Sequence, residues 1–290
     1  MHYLDKSPKG NPVSCLHFES THELLTTEPE SGRYRKLNAV AFEGIKSSSY
    51  GADRKWWGES SLDVALTKLR DGWPEGLKRG LLFIERLSFP PKHVPTVRRV
   101  IRRGDHGDEV DMQRVYRGDL DTAWSRRVKG PGSMLAKPTV TILCNTGINV
   151  SQNSEDLFWT GAVVASMASW LVESGRSVRV LSHQYSKEVS RGVDTYTSVV
   201  VKDFTSPLDL EILFGQTALG AMHRYAMFYS LCLRSEYLTY DYMGYPQSTV
   251  DYSSPLLGLN NDEVISVNAI TSQTAAQRYL DQQHKHFGGV

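Results

Sequence analysis

Residues 138–182 read PTVTILCNTGINVSQNSEDLFWTGAVVASMASWLVESGRSVRVLS, and this stretch decides the fold. It opens on an apolar, β-branched run in which Val140, Ile142 and Leu143 are followed at once by the polar turn Asn145-Thr146-Gly147, the pattern of a buried strand. Asn153 or Ser154 is placed to cap a helix, and Glu155 and Asp156 put negative charge on its first turn. Leu157 to Val172 is then apolar on nearly every face until Gly175 ends it. Arg176 to Ser182 reads as a second strand. Two buried strands joined by a helix with almost no polar face predict a βαβ unit with a parallel pair. The small residues Gly161, Ala165 and Ala168, beside bulky Phe158, Trp159 and Trp170, are expected to let the helix approach the sheet closely.

Toward the C-terminus, Thr195 to Phe204 reads as another strand through Val199, Val200 and Val201. Pro207 to Glu211 opens a short helix, and Thr217 to Leu233 predicts a longer one with an apolar stripe at Leu219, Met222, Tyr225, Ala226, Tyr229 and Leu233. Tyr237 to Ser254 reads as a long surface loop, Asp262 to Ile270 as a last strand, and Ser272 to His284 as a terminal helix. This order predicts a doubly wound, mostly parallel α/β domain over residues 131–290. Residues 1–130 read as a smaller α+β region. Its short strand candidates are Cys15–Phe18 and Leu37–Phe42, and two helices follow, one from Ser60 or Ser61 to Asp71 and one from Pro74 to Leu87. Lys129-Gly130-Pro131-Gly132-Ser133 is the expected linker.

Thirty-three basic against 32 acidic residues leave a net charge of +1, so no whole-molecule field draws the chain to nucleic acid or membrane. Cys15, Cys144 and Cys232 are scattered and lack metal-ligand spacing, which favours reduced thiols. No apolar run is long enough to span a bilayer and MHYLDKSPKG carries no signal core, so neither membrane insertion nor secretion by a signal peptide is expected. Arg98, Arg99, Arg102 and Arg103 form the strongest basic cluster and are the nucleic-acid candidates. Asp105, Asp108, Glu109, Asp111, Asp119 and Asp121 lie close enough in sequence to pair with them, so nucleic-acid binding is not the favoured reading. The segment GDHGDEVD lacks the register and distal Glu of a calcium loop.

In doubly wound sheets ligands bind beyond the carboxyl ends of the strands. That rule selects Asn145, Thr146, Gly147 and Asn149 after the first core strand, His183 after the second, and Thr217 further on as candidate ligand- or partner-binding residues. Asp194 and Asp203 flank the third strand and read as turn carboxylates, while one tryptophan of Trp56-Trp57 is expected in the core. No P-loop, GxGxxG, GxSxG or HExxH is present, and no catalytic residue is assigned.

Asn145-Thr146-Gly147-Ile148-Asn149 and Gly215-Gln216-Thr217-Ala218-Leu219 resemble the two segments with which von Willebrand factor A domains hold a divalent metal. Asn145 stands where that family has Asp, Gly147 and Asn149 replace its two serines, and only Thr217 matches. Loss of the carboxylate removes most of the attraction for a hard cation, so the resemblance implies a degenerate site without a cofactor, a divalent cation being the alternative. The whole chain is also similar to an uncharacterised family of phage and prophage proteins. That similarity runs through SSLDVALTKLRDGWPEG (60–76), RRGDHGDEVDMQRVYRGDLDTAW (102–124), the core from Asn145 to Leu181, and KDFTSPLDLEILF (202–214). It implies a viral or mobile-element origin, with the protein in the host cytoplasm or the virion. The function expected on these grounds is non-enzymatic: an interaction or assembly protein that presents loops to a protein partner or to copies of itself. A metal-dependent enzyme or a nucleic-acid-binding protein using the same strand-end cleft is the alternative.

Overall fold

The computed structural model describes residues 2–6, 12–28, 40, 42–43, 57–87, 99–129, 139–147, 153–186, 194–234, 257, 259 and 264–287. In chain order these form β1 (His2–Lys6), β2 (Pro12–Phe18), α1 (Thr21–Thr26), α2 (Leu62–Asp71), α3 (Pro74–Ile84), β3 (Arg99–Gly104), β4 (Glu109–Val110), α4 (Met112–Tyr116) and β5 (Trp124–Lys129). They continue with β6 (Thr139–Asn145), α5 (Leu157–Glu173), β7 (Ser177–Ser186), β8 (Asp194–Lys202) and α6 (Leu210–Ala218). A π-helical segment (Met222–Met227), α7 (Phe228–Cys232), β9 (Val264–Val267) and α8 (Gln273–Phe287) complete the series.

Six strands form one sheet in the order β1-β2-β8-β7-β6-β9. β6 pairs in parallel with both β7 and β9, and β2 pairs in parallel with β8. β7 and β8 run antiparallel, as do β1 and β2, so the sheet is mixed but mostly parallel. The antiparallel step follows from the short connection after Ser186, because a parallel return needs a crossover of a dozen or more residues. The chain is therefore α/β.

Compact units are formed by Met1–Lys92 with Thr139–Val290 and, separately, by His93–Pro138. This division differs from the one expected at residues 130/131. The N-terminal strands belong to the main sheet, with Val13 beside Asp194 and Phe18 beside Val199. In the smaller unit β3 and β4 both pair antiparallel with β5.

Alternation along the strands sets the main core. Val140, Ile142 and Cys144 of β6 and Val178 and Val180 of β7 share one cluster with residues of α1, α2, α5, α6 and α8. The residues between them, Leu143 and Leu181, face the other way and pack with Val200, Leu257 and Leu259. Among the described residues, the helices of the main core thus cover one face of the sheet and do not form the two-sided cover of a doubly wound domain. α5 lacks a polar face because it is enclosed: twelve of its residues are buried, between the strands below and α3, α6 and α8 around it. At Gly161 the close approach serves a helix, not the sheet as expected. A Cβ added to Gly161 would stand 2.7 Å from Ala218 Cβ and 3.2 Å from the Phe214 ring, both on α6. We expect Gly161→Leu to cost about 1–3 kcal/mol through overpacking, read as a lower denaturation midpoint.

Other differences have local causes. The helix predicted from Thr217 is interrupted, because α6 ends at Ala218 and Leu219 is extended (φ −82°, ψ 125°) before the chain turns helical again. Of Leu37–Phe42, Val40 and Phe42 are described and are helical, not extended. Arg98, Asn149, Gly130–Ser133 and the Tyr237–Ser254 loop lie outside the described residues. The caps predicted for the helical hairpin are present: Ser61 Oγ accepts from Val64 N at 3.3 Å, Gly72 closes α2 at φ 103°, and Pro74 opens α3, whereas the cap predicted at Asn153 or Ser154 for α5 is not made, a 3-10 turn over Ser154–Asp156 leading into the helix instead.

Candidate functional site: the carboxyl end of β6

β6 is where the sheet changes direction, with β7 on one side and β9 on the other, so its carboxyl end is a topological switch point. Asn145 closes the strand there. Its Oδ1 accepts from Gly147 N at 2.9 Å, which turns the chain, and its Nδ2 donates to Asn268 Oδ1 at 3.4 Å, just beyond β9. Thr146 donates to the His183 carbonyl through both its N–H (3.0 Å) and its hydroxyl (3.3 Å). Thr217, in the last turn of α6, donates to Leu213 O at 2.7 Å. Its neighbour Gln216 accepts at its carbonyl from Ser182 Oγ at 2.9 Å, in the middle of β7. Asn145, Thr146, Gly147, His183 and Thr217 are all buried. Their polar groups hold strand ends and helix ends together inside the protein. The switch point is a junction built of amides and hydroxyls.

His183 extends this junction into a row across the sheet. The register sets Asn145 opposite His183, His183 opposite Ser198, and Ser198 opposite His17. Ser198 Oγ and His17 Nδ1 are 2.9 Å apart. On one side of the row lies the cluster of Leu143, Leu181 and Val200, and on the other that of Val13, Cys15, Tyr185 and Tyr196. The His183 ring packs 5.7 Å from that of Tyr196, its Nδ1 is buried without a hydrogen-bond partner, and burial pushes its pKa down to about 3. Burial also lowers the pKa of His17, against the opposing pull of Glu19. His183 is thus held as a neutral imidazole.

Sequence reasoning missed the other polar centre near this edge. Arg234 is fully buried, and its guanidinium donates to the Ser14 carbonyl, Ser14 Oγ (2.8 Å), Tyr196 O (2.8 Å) and Thr197 Oγ1 (2.7 Å). It clamps β2 to β8. An isolated arginine after an apolar helix carries no periodic signal, and only the tertiary pairing reveals its role. Asp194 is buried too and accepts a hydrogen bond from Tyr185, whereas Asp203 is an exposed turn residue. Trp57 belongs to the core. Among the described residues, no group of three or more His, Cys, Asp or Glu side chains is placed to hold a metal ion.

The basic segment forms the small sheet. Arg103 bonds Asp111 at 3.2 Å, and Arg114 reaches the same carboxylate at 3.6 Å. The register places Arg99 opposite Lys129 and Arg102 opposite Arg126. Residues 93–138 hold ten Lys or Arg against six Asp or Glu. With interspersed signs and a Debye length of about 8 Å at physiological salt, we expect no binding to DNA or RNA tighter than about 1 μM there, as read by fluorescence anisotropy. Sub-micromolar binding that collapses with added salt would contradict this.

Fold and site together define an α/β protein with a mixed, mostly parallel sheet whose strand-end polar residues are internal. Residues 6–289 match the family described as a domain of unknown function, DUF7192, and the chain belongs to that family. No curated protein and no solved structure matches it. Among the described residues, no helix is long and apolar enough to cross a membrane.

Proposed function

We propose that this chain is a non-enzymatic interaction or assembly protein, phage-encoded, whose sheet is a degenerate relative of the von Willebrand factor A fold. The degenerate reading is supported by the internal use of Asn145, Gly147 and Thr217, whose groups are engaged with Asn268, the turn itself and Leu213. Because these residues are buried, the partner-facing surface is drawn from elsewhere. The observation that carries the proposal is the small unit. Within residues 103–126, whose burial is described, only Ala123 is a buried hydrophobic, while Met112 (49%), Tyr116 (83%) and Leu120 (58%) are exposed, with Val110 and Trp124 also outward. A unit of this size seldom builds a sufficient core, and clustered exposed apolar side chains mark docking surfaces.

The same segment carries charges of both signs, so it is able to complement a second copy of itself, and self-association is the first partner to test. Sedimentation velocity over a concentration series should show reversible association of the wild type. Tyr116→Ser with Leu120→Ser should abolish it while leaving the thermal midpoint unchanged. A wild type that stays monomeric up to high micromolar concentration would sink the self-association reading.

A further inference from the structure

α3 packs through its glycines and leaves its leucines outside. Gly76 and Gly80 are buried, and a Cβ added to Gly80 would stand 2.1 Å from the Phe214 ring of α6, so this side of the helix lies hard against its neighbour. Leu81 and Leu82 are left exposed at 43% and 53%, whereas the other exposed large apolar residues of the larger unit, Val40, Val64 and Val172, stand singly along the chain. Lys78 lies one turn before the leucine pair and Glu85 one turn after it, both exposed and about 10 Å apart along the helix. Among the described residues neither of these two side chains is in an ion pair, although the neighbouring Glu75 and Arg79 are bonded to Lys68 and Glu155.

The small unit carries a matching arrangement. Tyr116 and Leu120 are exposed there, Arg117 follows Tyr116, and Asp119 and Asp121 flank Leu120. These three charged side chains are exposed and, among the described residues, in no ion pair, whereas Arg103 and Arg114 share Asp111. Each surface is thus an apolar pair beside free charges of both signs, and the two can meet with Arg117 against Glu85 and Asp119 or Asp121 against Lys78. Net charge selects this pairing over the meeting of two small units. Residues 93–138 hold ten Lys or Arg against six Asp or Glu, a net charge of +4, and the remaining residues hold 23 against 26, a net charge of −3. Two small units bring like charge together, while a small unit and a larger unit bring opposite charge together, which favours encounter.

We propose that the outer face of α3 on one copy, centred on Leu81 and Leu82, is the docking surface for the small unit of a second copy, so that the chain associates head-to-tail. This rests on the self-association reading above and adds to it the second surface and the symmetry. A heterologous contact uses a different patch on each partner, and it therefore propagates into a ring or a filament, which suits an assembly role.

The test mixes two full-length variants, each with one surface removed. Leu81→Ser with Leu82→Ser removes the α3 face, and Tyr116→Ser with Leu120→Ser removes the small-unit surface. In sedimentation velocity, at a concentration where the wild type associates, each variant alone should be monomeric. An equimolar mixture should form a dimer that grows no further, because it holds one intact surface of each kind. Charge reversal gives a second readout that leaves the leucines in place: Glu85→Arg or Arg117→Glu should each weaken association by about fivefold or more, and both changes in one chain should restore it. The proposal is overturned if the Leu81→Ser, Leu82→Ser protein associates as the wild type does, if the mixture stays monomeric, or if the doubly reversed chain is not restored. Any of these with a wild type that still associates assigns a symmetric contact between small units and leaves the self-association reading standing, whereas a wild type that stays monomeric overturns both.

Discussion

Arg234→Met should lower the stability of the protein by about 3–5 kcal/mol, because it removes a fully buried guanidinium and leaves the Ser14 and Tyr196 carbonyls without its hydrogen bonds. A methionine fills much of the volume, so the loss reports the polar clamp and not a cavity. The two strands concerned, β2 and β8, lie far apart in sequence, with 181 positions separating paired His17 from Ser198, and their pairing brings the N-terminal segment into the main sheet. Arg234→Lys should recover only part of the loss, since one ammonium cannot span acceptors on two strands with the geometry of a guanidinium. Urea denaturation of the three proteins measures this. A loss below about 1 kcal/mol for Arg234→Met would show that the clamp is dispensable.

Acid should unfold the protein partly through His183. Its pKa is near 6.5 in the unfolded chain and about 3 when folded, so the unfolded state takes up the proton first. The stability it contributes is therefore complete above about pH 6.5 and is lost as the pH falls toward 3. At pH 5 the penalty is about 2 kcal/mol, from roughly 1.5 units at 1.36 kcal/mol each. The groups around the imidazole, Tyr196, Asn145 and Ser198, offer no charge to offset it, whereas His17 at the end of the row has its own depressed pKa and adds to the acid sensitivity. His183→Gln should match the wild type less well at pH 7 but lose about 2 kcal/mol less between pH 7 and 5. Parallel stability curves for the two proteins would refute the assignment of a neutral, buried His183.

The parts of this fold that were legible in the sequence are those written in local periodicity. The run from Val140 to Leu143, the enclosed helix from Leu157 and the strand through Val180 all state their class within a few residues of themselves. The caps at Ser61 and Gly72 did the same for the helical hairpin. What lay beyond local reading was pairing. HYLDK at residues 2–6 has no strand alternation of its own, and it joins the sheet only because β2 offers it an edge. The antiparallel turn between β7 and β8 depended on a connection length whose consequence appears only once both strands are placed. Gly161 was correctly read as a close approach but assigned to the wrong neighbour, because a small stripe on a helix does not say whether a sheet or another helix fills it.

The candidate site was legible in position but not in use. Asn145 does stand at a strand end, but His183, expected after the second strand, lies inside β7, which continues to Ser186 through its pairing with β8. Their burial, and the row they form with Ser198 and His17, came from register alone.

The proposed docking function requires that the carboxyl end of β6 be a closed junction of neutral groups and not a metal site. The most direct measurement is the melting temperature with and without millimolar magnesium or manganese, for the wild type and Thr217→Ala. Neutral amides and one engaged hydroxyl hold a hard cation poorly, so neither ion should shift either protein. A cation at about 100 times its dissociation constant would add about 2.7 kcal/mol and raise the midpoint by several degrees. Such a rise in the wild type, absent from Thr217→Ala, would contradict the claim and make the strand-end cleft a working metal site.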